Sequence, residues 1–255
     1  MKNKKCIIKP KTNERKEFYT PEFVTIILLS ESHGYRMKSY GSIPLVKILD
    51  KTLIQKQIEV IKSFFPNYEI ILCSGFDVKK TVEYVKENFP SENIRVVENQ
   101  VHLNSNCCES TRLCLNNTTN HRVLICSGGI LLTADMLSQI NYRADCVLVQ
   151  DDNPMKNFEV SAMENDFNLQ NLCLGEKINF WTECLYLSNG SSVKKMYDII
   201  SNPDFKNKFI FEAINDLSRT NRIKVVKNTL SPITKIDNIK TLKDISSNES
   251  INSRL

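Results

Sequence analysis

From residue 23 the chain alternates short apolar runs with amphipathic stretches, and few folds tolerate that rhythm. "FVTIILL" (23–29) is apolar almost throughout, as suits a strand buried on both faces. "TLIQKQIEVIKSFF" (52–65) sets Leu53, Gln57, Val60, Ile61 and Phe64 on one helical face and opens with Thr52 and Gln55 spaced as a capping box. "YEIILCSG" (68–75), "VKKTVEYVKENF" (78–89), "NIRVVEN" (93–99) and "CCESTRLCLNNT" (107–118) repeat the order, the last with Asn106 and Glu109 at N-cap and N3, and "HRVLICSG" (121–128) adds a fourth strand. Parallel neighbours need a crossover helix between them. The pattern therefore predicts an α/β, Rossmann-like fold: a mixed, mainly parallel sheet with helices on both faces.

After residue 144 the helices thin out. "ADCVLVQ", "NFEVSAM" and "FWTECLYLS" predict mixed or antiparallel strands added at the sheet edge, followed by helices in "SSVKKMYDII" and "KFIFEAINDLSRT", then "RIKVVKN" and "NIKTLKDI". One domain over 23–246 is expected, between a basic arm (1–22) and a flexible tail (247–255).

Composition narrows the function classes. No run approaches the roughly 18–20 apolar residues of a membrane span. Nine cysteines form no CxxC pair, and Cys73, Cys126, Cys146 and Cys184 sit inside apolar runs, which points to a reducing, cytoplasmic setting. The three histidines do not gather with them at zinc-ligand spacing. A net charge of +5, with no aromatics interleaved among the basic residues, argues against nucleic acid as a partner.

In an open parallel sheet, ligands bind beyond the carboxyl ends of the strands. The first exit, "SESHGYRMK", holds one Gly with an Arg two residues on, a turn suited to aiming N–H groups and a guanidinium at an anion. "LSESHGYRM", "PLVKI" and "LIQKQI", in that order, resemble the first motif of the nucleotidyltransferases that activate sugar phosphates or phosphocholine: L-A-A-G-x-G-x-R-M, then a Lys-Pro-Leu-like step. "EIILCSGF", "IRVVENQVHLNSNCCESTRL", "RVLICSGGILLT", "FWTECLYLS" and "ITKIDNIKTLKDI" extend the resemblance over roughly 23–246. It implies a nucleoside triphosphate and a small phosphorylated substrate as ligands, with Mg²⁺ as cofactor. It also implies nucleotide contacts from Ser32, His33, Gly34, Tyr35, Arg36, Asn106 and Ser110, catalytic roles for Arg36 and Lys177, and Asp237 as metal ligand. Trp181, Glu183 and Tyr186 would suit a cationic acceptor, which favours a CTP-type enzyme.

Three positions depart from that family together. Ser32 replaces the first loop Gly, Ile43 a phosphate-facing Lys, and Gly129 the Asp that helps hold Mg²⁺. Nucleotidyl transfer needs two anions positioned and the leaving pyrophosphate neutralised, and one such electrostatic group is typically worth about 10²–10³ in kcat. The alternative to an active transferase is thus a catalytically degenerate relative, used as a binding or structural module with a protein partner. Lys38, Lys47 and Asp151-Asp152 are candidate substitutes for the lost groups. Asp237 is open between holding metal and capping the helix near Ile239. A minor alternative is a glycosyltransferase with Asp151-Asp152 at its metal. Restoring Gly at 32, Lys at 43 and Asp at 129 is expected to recover Mg²⁺–nucleotide binding.

Overall fold

The computed structural model describes residues 20–31, 37, 41–153 and 157–247. Most of the expected arm and tail therefore lies outside the described residues.

The alternating runs build one half of a large mixed sheet. Strands β1 (Val24–Ser30), β4 (Tyr68–Ser74), β5 (Ile94–Glu98) and β6 (Val123–Ser127) lie parallel in the order β5-β4-β1-β6. Helices α1 (Leu53–Phe64), α2 (Val78–Asn88) and α3 (Cys107–Leu115) make the crossovers. Strand periodicity divides the core into two layers. Ile27, Ile71, Cys73 and Ile125 pack on the face shared with Cys108 and Cys114 of α3, while Ile26, Leu28, Ile70 and Leu72 pack against Ile54, Ile58 and Ile61 of α1.

The second half differs from the expectation in two ways. Strand β10 (Phe180–Leu187) is central, not peripheral: it is antiparallel both to β6 and to β7 (Cys146–Gln150). Parallel to β7 runs β11 (Lys224–Lys227), followed by a hairpin of β8 (Val160–Asn165) and β9 (Asn168–Leu174) that completes the order. β9 escapes sequence reading because its turn, Asp166-Phe167, holds positive φ at both residues (50° and 59°) without the Asn-Gly or Gly signal that marks such hairpins. Also unforeseen are the two-residue strands β2 (Lys47–Ile48) and β3 (Lys51–Thr52), and helix α4 (Ala134–Gln139). Helices α5 (Gly190–Ile200) and α6 (Ile210–Ser218) cover the α3 face. The last helix, α7 (Ile239–Ser247), packs Leu242 and Ile245 with Met37, Ile43, Val46, Ile48, Leu53, Leu131 and Ile236.

Caps differ in detail from the sequence pattern. Thr52 accepts from the N–H of Gln55 (3.3 Å), but the Gln55 amide turns to Glu59 instead of closing the box. Asn106 caps α3 through the N–H of Cys107 (2.8 Å), while the Glu109 carboxylate pairs with Arg112. No disulfide joins the cysteines of the described residues, and Cys73, Cys126, Cys146 and Cys184 are buried strand residues. No helix among those residues is long and apolar enough to cross a membrane.

Candidate functional site

A cavity of about 450 Å³ opens at the carboxyl ends of β1 and β6. Leu29 and Glu31 reach it from β1 and Ser127 and Gly129 from β6; Asn106 and Cys107 come from the start of α3, and Trp181 and Glu183 from the start of β10. The remaining wall is the extended segment 233–237, whose Lys235 and Asp237 lie two residues apart and both line the cavity.

Two buried glutamines fix these walls. Gln57 of α1 donates to the carbonyls of Gly128 (3.1 Å) and Ile130 (2.7 Å), setting the course of the chain beyond β6. Gln150 donates to the Ile233 carbonyl (3.2 Å) and accepts its N–H (2.8 Å). The segment then pairs with the β6 exit: Leu131 N–H to Thr234 O (2.9 Å) and Ile236 N–H to Gly129 O (2.8 Å).

That pairing explains the glycine. A Cβ on Gly129 would stand 2.7 Å from the Ile236 carbonyl oxygen, a backbone atom. An aspartate there finds no room unless the segment moves. Ile43 borders the cavity but is 7% exposed and packs among the apolar residues beneath α7.

Charge in the described part of the cavity is lopsided. Glu31, Glu159, Glu183 and Asp237 line it, against Lys235 as the one ammonium among the described residues. Lys235 is ion-paired to Glu183 at 2.5 Å, with the two side chains 20% and 29% exposed. Glu183 holds φ +57°, the left-handed region, where the register of β10 on β7 shifts between Trp181 and Leu185. Such backbone costs a non-glycine residue about 1–2 kcal/mol, whereas exposed ion pairs typically contribute about 0.2–1 kcal/mol. Burial, foremost, raises the Glu31 carboxyl above its ordinary range, with Glu183 pushing the same way and Ser110 and Lys235 opposing. Burial, then Glu31, pushes the Cys107 thiol up, so it stays protonated.

The residues singled out from sequence separate. Asn106, Gly129 and Asp237 meet at the cavity. Ser110 does not line it; it is fully buried, accepts from Asn99 (2.9 Å) and lies close enough to the Glu31 carboxyl to pull its pKa down. Lys177 is exposed and outside the lining, as are Lys47 and the exposed Asp151-Asp152, where Asp151 meets the Asn179 N–H (3.3 Å) and Lys227 (3.7 Å). The glycosyltransferase alternative needs that acidic pair at the nucleotide site, and the pair does not line this cavity. Tyr186 is buried in the core away from the cavity. Ser32, His33, Gly34, Tyr35, Arg36 and Lys38 lie outside the described residues. Asn238, not Asp237, caps α7 by accepting the N–H of Thr241 (2.9 Å), and Asp237 accepts from the Asn238 amide (2.6 Å). Glu31 and Lys235 were missed. A carboxylate directly after an apolar strand, and a Lys alternating with Asp237 on an extended segment, were the available signals.

No protein-family model and no curated protein matches the chain. Solved structures do. CTP:phosphocholine cytidylyltransferase (LicC) of Streptococcus pneumoniae is similar at 18% identity and a TM-score of 0.72, over 88% of this chain and 97% of that one. The inositol-1-phosphate CTP transferase of T. maritima matches at 13% and 0.73, over 90% and 98%. UDP-glucose pyrophosphorylase complexed with UDP-glucose matches at 12% and 0.69, over 91% and 100%. The chain has the fold of these nucleotidyltransferases.

Proposed function

We propose that this protein is a ligand-binding member of the nucleotidyltransferase fold, taking a nucleotide of the CTP type in the cavity without efficient nucleotidyl transfer. The close approach of Ile236 to Gly129 carries the reading. It supports a loss of the metal-side carboxylate that is built into the backbone, because a side chain at 129 would collide with a carbonyl at 2.7 Å. Ile43 in an apolar cluster points the same way. What remains is a preformed pocket of ligand size, walled by groups that can orient a small polar molecule: Asn106, Ser127, Lys235 and Asp237.

One observation favours the second reading, transfer of CMP to phosphocholine or a sugar phosphate. Asp237 is released from helix capping by Asn238 and faces the cavity, where it could share Mg²⁺ with substrate phosphates. Calorimetric titration with each of the four nucleoside triphosphates, with and without Mg²⁺, tests the proposal. CTP binding that is indifferent to Mg²⁺ supports it; binding that requires Mg²⁺ and is lost in Asp237→Ala supports the transferase.

A further inference from the structure

We infer that Lys235 is the phosphate-binding group of the cavity and that Glu183 is its built-in competitor, so that a phosphate-bearing small molecule enters by displacing the Glu183 carboxylate. The inference rests on reading this cavity as the ligand pocket, and it names the side chain that meets the ligand's anion.

Three observations carry it. Lys235 is the one ammonium lining the described cavity, on a segment fixed from both sides by Gln150 and by the β6 exit. Its partner Glu183 stands at a left-handed position where the β10 register shifts, a conformation that glycine adopts freely and glutamate does not. Backbone strain of this kind clusters at functional sites, and of the described non-glycine residues with positive φ Glu183 is the one that lines the cavity. Finally, both groups are partly exposed, so the pair can open without burying a bare charge. With Lys235 paired, the other described carboxylates facing the cavity, Glu159 and Asp237, repel a free anion. With Glu183 withdrawn, Lys235 offers three donors to a phosphate. The pair thus screens for ligands whose remaining contacts are strong enough to open it.

The test uses inorganic phosphate as the probe, titrated calorimetrically into the full chain and three variants. Glu183→Gln removes the competing charge, Glu183→Gly removes it together with the strain, and Lys235→Gln removes the binding group. The two Glu183 variants should bind phosphate about fivefold more tightly than the wild type, the effect of freeing a cation from an ordinary ion pair. Lys235→Gln should show no phosphate binding. Unchanged or weaker affinity in both Glu183 variants, or undiminished binding in Lys235→Gln, overturns the inference. If Lys235→Gln does not fold, the sign of the Glu183 effect decides alone. A parallel CTP titration separates the two claims: CTP binding indifferent to every variant leaves the pocket reading standing and sinks this one. Lys235-dependent phosphate binding with no CTP binding keeps the cavity as a ligand pocket and this inference with it, and sinks only the CTP-type ligand.

Discussion

A methyl group on Gly129 must either collide with the Ile236 carbonyl or push away the segment that carries Lys235 and Asp237. The Cβ would sit 2.7 Å from that oxygen, with the Lys235 Cγ next at 3.5 Å. Overpacking of this kind typically costs about 1–3 kcal/mol. Retreat of the segment would also weaken the two backbone bonds at 2.8 and 2.9 Å that tie it to Gly129 and Leu131, each worth about 0.5–1.5 kcal/mol. Gly129→Ala should therefore destabilise the protein by about 2–4 kcal/mol, seen as a Tm about 5–10 °C lower for a chain of this size. Urea denaturation, with an unchanged m-value, is the assay. Gly129→Asp should lose at least as much and should gain no Mg²⁺–nucleotide affinity, contrary to the expectation from sequence that restoring this carboxylate repairs the site. A Gly129→Ala protein within about 0.5 kcal/mol of wild type would refute the argument, because a side chain would then fit where the geometry denies it.

Other outcomes follow from the same geometry. Because burial holds the Glu31 carboxyl above its ordinary value of 4.5, the folded state binds that proton more tightly than the unfolded one. The contribution to stability is complete below about pH 4.5 and is lost as pH rises through the folded value. Glu31→Gln should flatten this slope, so its stability relative to wild type improves from pH 4.5 towards neutrality in denaturation profiles; parallel profiles would contradict the burial argument. Asn238→Ala should cost about 1 kcal/mol through loss of the α7 cap, whereas Asp237→Ala should stay within about 0.5 kcal/mol. The reverse order would return Asp237 to a structural role. From sequence alone, since Arg36 lies outside the described residues, Arg36→Ala is expected to weaken nucleotide binding by about 1.5–3 kcal/mol, and unchanged affinity in calorimetry would contradict that expectation.

The parallel half of the fold was legible because burial on both sheet faces writes continuous apolar runs, and the crossover helices between them carry their own period. The antiparallel half was less so. β10 reads as an ordinary strand, and nothing local reveals that it inserts between β6 and β7. β9 hides behind a turn whose two positive-φ residues are Asp166 and Phe167. At the site, Asn106 and Gly129 were reachable through the strand-exit rule, as parts of the segments that follow β5 and β6, and Asp237 through the resemblance of "ITKIDNIKTLKDI" to the family's closing segment. Lys235 and Glu31 matter through partners 52 and 79 residues away, and the Gly129–Ile236 contact depends on a backbone approach that leaves no pattern in side-chain types. The altered residues could be seen in the sequence, but not how tightly their surroundings hold them.

Pyrophosphate release by the wild-type chain tests the central claim most directly. With each nucleoside triphosphate in the presence of Mg²⁺ and either phosphocholine or sugar phosphates, the account predicts no release above the protein-free blank. Sustained turnover with any pair, abolished by Asp237→Ala, would contradict it and establish the transferase reading.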